Sequence, residues 1–493
     1  MMERWLWHSR RLRREGPGWP ELMEYGLLAL ALAIPASAAP AQVAAQTLAV
    51  TGATVIDPLA DAPLTNGVVV MEDGRITAVG AADAVDVPAG TEIIDARGKY
   101  VIPGLMDANL HLYLNLDLET LIKYEGRYHE IVLEAAQLTL KTGQTTVFDT
   151  WGPLGALAKA RDMIDAGEAP GSRIYFAGNI IGFDGPLSTD FRGEAAAHVS
   201  KSFVRRTNEA WEHGTGRDLM WMTPDSVRTA IRRYTDTGVD FLKYGSSSHV
   251  EMFFISFSER VQRVIVEEGH RAGMTVQTHT TSVESLDMAI EAGVDIITHG
   301  DISGPVVPIP METVRKLVER DIAVSVLPIT QRRLDALQKH NPDGTLTPYM
   351  AVARENQARM IEAGVSMLLS TDAGIKHPVL LAESGTIASD TVDQRTKLGE
   401  GHFNALAALE ELGMAPMEIL RSMTSHIARA YEMEDEIGSL QPGMIADLVI
   451  LDENPLEAAR NYRSIHAVIK DGQRVDIDAL PVAPIISVLK PDS

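Results

Sequence analysis

The chain has 493 residues, 45% of them hydrophobic and 23% charged, which is enough for one large domain and a smaller one around a sizeable core. Its formal net charge of -23 argues against nucleic acid as a partner. It contains no cysteine, which excludes disulfides, thiolate ligands and a Cys nucleophile and leaves the redox compartment open.

The first 46 residues read as a leader. The basic "RRLRREG" precedes the apolar "YGLLALALAIPASAAPAQ", which closes in small residues, the order of an export signal with cleavage after Ala38. The apolar run is too short to cross a bilayer well, so no stable membrane span is expected. "SRRLRR" has a twin-arginine flavour, but it lies far from the apolar run and lacks the following large apolar residue. An exported, periplasmic protein is expected. A true start at Met23 would remove the basic residues, and a misassigned leader would leave the protein cytoplasmic.

Residues 47–100 follow as short alternating segments, "TLAVTGATVID", "GVVVMEDGRITAVG" and "TEIIDARGKYVI", rich in Val, Ile and Thr between turn residues. Residues 437–493 close the chain with a matching set, "ADLVILDENP" and "IHAVIKDGQRVD". Each set is too small for its own core, so the two ends are expected to pair into one β-sandwich.

Between them, over residues 101–436, the period changes and apolar strands alternate with amphipathic helices. The strands are "VIPGLMDANLH", "TTVFDTW", "RIYFAGNII", "DFLKYG", "MTVQTHT", "DIITHGD", "IAVSVLP" and "SMLLSTDAG". The helices carry start and stop signals: Thr223 as N-cap with Pro224 after it and Gly238 as stop, then Ser282 and Gly293 around the next but one. Eight strands each followed by a helix predict an α/β chain with a (β/α)8 TIM-like barrel. A doubly wound sheet is the alternative, disfavoured because no Gly-rich phosphate fingerprint follows the first strand.

Several of these strands end in polar groups where a barrel otherwise wants Val or Leu. Strand one ends in Asn109 and His111, two apart and so on one face; strand four carries Lys243, strand five His279, strand six His299 and strand eight Asp372. One such residue is most often a satisfied core group. Five ionisable ones at one level are not explained that way, because each buried charge costs several kcal/mol unless paired. A divalent cation among them would offset that cost together.

The motifs "PGLMDANLH", "DFLKYG", "VQTHT", "ITHGD" and "LLSTDAG", with "GSLQPGMIADLVILDENPL", resemble the metal-dependent amidohydrolase superfamily over residues 47–478. The resemblance implies a distorted barrel with a sandwich from both termini, one or two divalent ions (Zn²⁺ first, with Co²⁺ or Mn²⁺ as options) and hydrolysis at a carbonyl or phosphoryl centre. It implies that His111 and Asp372 hold the more buried ion, that His279 and His299 hold the second, and that a carboxylated Lys243 bridges them. The plain reading of Lys243 is an ammonium paired with Asp372. Asn109 departs from the family, which usually has His there; an amide offers a metal only its neutral carbonyl oxygen. A small branch with the same Asn-x-His pair includes hydrolases of phenylurea and thiocarbamate herbicides, and this sequence resembles that branch. The implied chemistry is attack by activated water, with Asp372 as general base and then proton donor to a departing amine. No "GxSxG" elbow offers a serine nucleophile instead.

The substrate is expected to be a small molecule held by loops after the strands. The longest runs from Gly182 to Met222 and carries Phe183, Phe191, Phe203, Trp211, Trp221, Arg192, Arg205 and Arg206. Its aromatics point to a lid over an apolar or aromatic substrate, or equally to a contact between copies; a homo-oligomer is expected. Tyr113 and Tyr244 adjoin proposed ligands, and His249 and His377 follow strand ends, so all four are candidate substrate contacts. Three rival functions stand beside C–N hydrolysis: a dipeptidase or N-acyl amino acid hydrolase using the loop arginines for a carboxylate, a deaminase, and a binding protein whose metal site has decayed at Asn109.

Overall fold

The structure is a computed structural model that describes residues 47–114, 116–248, 254–304, 306–340, 346–376 and 392–487. The leader therefore lies outside the described residues, as do His249 and His377. No described helix is long and apolar enough to cross a membrane.

Both ends of the described chain enter one eight-stranded sheet. β1 (Thr47–Val55) pairs antiparallel with β2 (Leu64–Glu72), which pairs with β3 (Arg75–Ala81); β1 also takes β4 (Glu92–Asp95) and β5 (Tyr100–Pro103) in parallel. The C-terminal strands continue from β5: β15 (Leu448–Leu451), β16 (Ile465–Lys470) and β17 (Gln473–Arg474), all antiparallel. The pairing of the two termini is as the alternating patterns predict. The hydrogen bonds join them into a single sheet rather than two stacked ones. Register shifts at Thr51, Ala53 and Val55 bend it. Val69 and Met71 of β2 and Ala467 and Ile469 of β16 consequently share one apolar cluster, so the sheet curls over its own face.

At Gly104 the chain leaves this sheet. A side chain there would collide with Thr145, and the close approach lets β6 (Leu105–Leu110) begin immediately after β5. β6, β7 (Gln144–Asp149) and β8 (Arg173–Phe176) form a parallel three-stranded sheet. β9 (Ile180–Ile181), β10 (Leu242–Gly245), β11 (Val276–His279), β12 (Ile296–Thr298), β13 (Ala323–Val326) and β14 (Met367–Leu369) form a parallel six-stranded one. Helices follow the strands as expected: Thr223 caps Pro224–Thr235 by accepting from the Ser226 N–H, and Ser282 caps Val283–Ala292, which ends at Gly293 with φ 82°.

The expected barrel sheet is not closed. One break falls inside the predicted third strand, where Gly178 takes φ 73° and separates β8 from β9. Tyr234 holds this kink: its hydroxyl donates to the Ala177 carbonyl at 2.7 Å and accepts from the Asn179 N–H at 2.6 Å. The other break lies between β14 and β6. Among the described residues two backbone hydrogen bonds cross it, Asp372 N–H to Asn109 O at 2.9 Å and His111 N–H to Ala373 O at 2.8 Å. The two sheets nevertheless enclose a common interior. Met106, Phe148, Ile296, Ala323 and Leu368, from five different strands, meet in one cluster with Tyr431, whose ring stacks on Phe148 at 3.8 Å.

Candidate active site

The β14–β6 break brings together the residues that the strand ends singled out. Asn109 and His111 project from the end of β6, with Ser370 and Asp372 just past β14. His299 has φ 60° and Asp372 φ 53°, left-handed conformations uncommon for non-glycine residues and held here by surrounding structure. Two proposed site residues thus carry backbone strain.

Asn109 is the hub. Its amide nitrogen donates to Ser370 Oγ and to Asp372 Oδ1, both at 3.1 Å. Its carbonyl oxygen accepts from Lys243 Nζ at 3.0 Å and from the Thr150 hydroxyl. Lys243 can only donate and an ionised Asp372 can only accept, so the two together fix which way the amide points. With both donors in place its oxygen is engaged within the protein. The geometry therefore adds to the expected ligand role another: Asn109 holds Asp372 and Lys243 at a set spacing.

Around this hub, His111 Nε2 lies 3.1 Å from Asp372 Oδ1, and His299 Nε2 lies 3.9 Å from the same oxygen. The His279 and His299 rings meet edge to face with centroids 5.1 Å apart. Five of the six expected ligands thus contact or closely approach one another around Asp372 and Asn109, and His279 adjoins through His299. Lys243 hydrogen-bonds Asn109 and Thr150 (3.0 Å to the latter) rather than pairing with Asp372. Among the described residues no three His, Asp or Glu side chains stand in a metal-holding arrangement.

The electrostatics favour ligand forms. Burial pushes His299 down to about 3, keeping it a neutral imidazole. Burial pushes Lys243 down to about 8 against the pull of Asp372 and Asp149, so a neutral amine comes within reach. Burial acts to raise Asp372, but the neighbouring His299 and His111 outweigh it and hold the carboxyl well below its usual range. His111 Nδ1 and His299 Nδ1 are buried without a protein hydrogen-bond partner. Neutral imidazole nitrogens, an ionised carboxylate and a near-neutral amine are the donor chemistry that divalent zinc, cobalt or manganese takes. The residues present fit such an ion by donor type.

Some site residues were not singled out by sequence. Asp149 lies fully buried beneath His111, raised to about 6 by burial against the opposing effects of His111 and the Leu112 and Trp151 N–H groups it accepts from at 2.6 and 3.1 Å. Asp149 and Thr150 sit in "FDTW" at the end of β7, the same polar strand-end signal as elsewhere. Arg395 donates to the Thr371 carbonyl beside Asp372.

The candidate substrate contacts divide. Tyr113 is buried in an aromatic cluster near His111. Tyr244 is a correction: strand alternation turns it away from Lys243, and its hydroxyl donates to Gln262 at 2.9 Å in the layer between strand and helix. The loop after β9 is partly helical, over Lys201–Glu212. Phe183, Phe203 and Trp211 are buried, while Trp221 is 82% exposed. Arg192 pairs with Glu194 at 2.9 Å, Arg206 with Glu125 at 2.7 Å, and Arg205 lies 3.9 Å from Glu209.

Residues 100–475 match the model of the amidohydrolase family. The chain belongs to that family. The solved structure of molinate hydrolase is similar to this amidohydrolase at 38% identity and TM-score 0.85, over 90% of this chain and 98% of that one. Phenylurea hydrolase B is similar at 34% identity and TM-score 0.84, over 90% of this chain and all of that one (100%). These two match the Asn-x-His branch that the sequence resembles. An imidazolonepropionase of Fusobacterium nucleatum is 24% identical, over 78% of this chain and 85% of that protein. This amidohydrolase is thus an enzyme whose structural neighbours include hydrolases of C–N bonds, within a family that generally uses divalent metals and acts on small molecules.

Proposed function

We propose that this amidohydrolase cleaves a C–N bond of amide, urea or carbamate type in a small, uncharged, apolar or aromatic substrate. The observation that carries the reading is the Asp372 carboxylate, kept ionised beside His111 and His299 and aimed by the Asn109 amide. His111, Lys243, His279, His299 and Asp372 would hold one or two divalent ions, with Lys243 in carboxylated form as bridge. Asn109 would be an auxiliary oxygen donor once Lys243 no longer donates to it. When bound, the ions supply Lewis acidity and a water acidified toward neutral pH. Asp372 would accept a proton from the attacking water and return it to the leaving nitrogen, which departs poorly as an anion. Asn109, itself held by Ser370, would keep the carboxylate oriented through both transfers.

The likeness to hydrolases of molinate and phenylurea supports the substrate class. The surface pairing of Arg192 and Arg206 speaks against a carboxylate-holding dipeptidase or N-acyl amino acid hydrolase, and the presence of all five ionisable groups speaks against a decayed binding protein. The same reading takes the two parallel sheets as parts of one distorted (β/α)8 barrel and the N-terminal leader as an export signal that delivers the protein to the periplasm.

A panel of anilides, N-aryl ureas, carbamates and N-acyl amino acids tests the proposal. Release of an amine from the neutral aryl members, with little from the acyl amino acids, is expected. Cleavage confined to the acyl amino acids, or deamination without C–N hydrolysis of any amide, would overturn it.

A further inference from the structure

A chain of aromatic rings runs outward from His111. Trp151 meets the His111 ring edge-on with centroids 6.2 Å apart, Trp211 lies 5.8 Å from Trp151, and Tyr113 lies 5.6 Å from Trp211. All three are essentially inaccessible, at 1%, 0% and 0% exposure. Each carries a polar atom, Trp151 Nε1, Trp211 Nε1 and Tyr113 Oη, and all three atoms are buried without a hydrogen-bond partner. Buried indole N–H and phenol O–H groups nearly always find an acceptor, so three unanswered donors in one cluster are not ordinary packing. Tyr128, in the same cluster, shows the ordinary case: its hydroxyl donates to the Leu121 carbonyl at 2.9 Å.

The set is specific about what would answer it. An indole N–H can only donate, so the missing partner is an acceptor. The Tyr113 hydroxyl, buried without a partner, has an O–H to donate as well. Among the described residues no Lys or Arg stands over the rings of Tyr113, Trp151 or Trp211. Phe191, partly buried on the loop after β9, stacks on Trp151 at 4.0 Å. Its ring shows that the Trp151 face accepts an aryl group.

We propose that Trp151, Trp211 and Tyr113 form the subsite for the substrate group remote from the scissile bond. Its ligand is an uncharged aryl group carrying a hydrogen-bond acceptor such as an ether or carbonyl oxygen. The aryl ring takes the place of Phe191 on Trp151, and the acceptor receives one or more of the three unanswered donors. This deepens the proposed C–N hydrolysis and rests on it for the word substrate, but the binding itself does not depend on turnover.

The probes are 4-methoxyphenylacetone and 4-ethylphenylacetone, ketones of nearly equal shape that no hydrolase can cleave and that differ in one acceptor oxygen. Titration calorimetry on the protein as purified is expected to give the methoxy compound about tenfold tighter binding, the scale of one desolvated hydrogen bond, although the ethyl compound is the more apolar. Tyr113→Phe, Trp151→Phe, Trp211→Phe and the triple variant keep aromatic walls while removing donors, and the ratio should fall toward one in the triple variant and in at least one single variant. A ratio near one in the parent, no binding of either ketone, or a ratio unchanged in all three single variants overturns the subsite. Should the triple variant not fold, shown by its thermal transition, the single variants decide. Aryl amide hydrolysis with a ratio of one sinks the subsite alone; a tenfold ratio without any hydrolysis sinks the hydrolase reading alone.

Discussion

At the residue scale, Asp372 and Asn109 divide the work of one hydrogen-bonded group. The carboxylate is set by strain and by its imidazole neighbours, and the amide fixes its direction through opposed donors and acceptors. Changing Asp372 to Asn keeps an oxygen donor and removes the proton relay. A fall in kcat of roughly 10²-fold or more is expected, with a smaller change in metal content, measured by steady-state kinetics beside elemental analysis. Equal loss of both would make Asp372 chiefly a ligand. The sequence already carried His111, Lys243, His279, His299 and Asp372, because an ionisable group at the end of a buried strand is conspicuous. Asp149 and Thr150 carried the same strand-end signal in "FDTW", but Ser370 did not, since a small hydroxyl is common anywhere in a chain and only its partners give it meaning. Tyr244 was legible but misread: period-2 alternation with Lys243 already placed it on the opposite face.

At the element scale, the predicted third strand is two strands separated by a kink at Gly178. The sequence reads there as one mostly apolar segment, "RIYFAGNII", in which Gly178 permits the kink, but the kink is held by Tyr234 from the helix Pro224–Thr235. A contact between residues so far apart along the chain leaves no local pattern. Tyr234→Phe removes a buried hydroxyl that both accepts and donates, and leaves the Asn179 N–H without its acceptor. A loss of about 1–3 kcal/mol in unfolding free energy is expected from that orphaned donor, measured by urea denaturation with the slope unchanged. A stability equal to the parent's would mean that the kink stands without Tyr234. The capped helices were the most legible elements, since Thr223, Pro224, Ser282 and Gly293 fix their ends through local backbone bonds alone.

At the scale of the whole molecule, alternating segments at both ends of the sequence and βα repeats between them gave the order of the parts. That β5 and β15 lie side by side follows from neither end being able to cover its own core. How the sheets curl and where they fail to close depend on register shifts and long-range contacts, which sequence periodicity does not encode. On the function proposed, the strand ends converge to hold divalent metal for hydrolysis. Elemental analysis of the purified full chain, followed by chelator treatment and readdition, tests it most directly. One or two equivalents of Zn²⁺, Co²⁺ or Mn²⁺ per chain are expected, with loss of amide or urea hydrolysis on chelation and recovery when one of these ions is returned. A protein with no bound transition metal whose activity none of the three ions raises would contradict it.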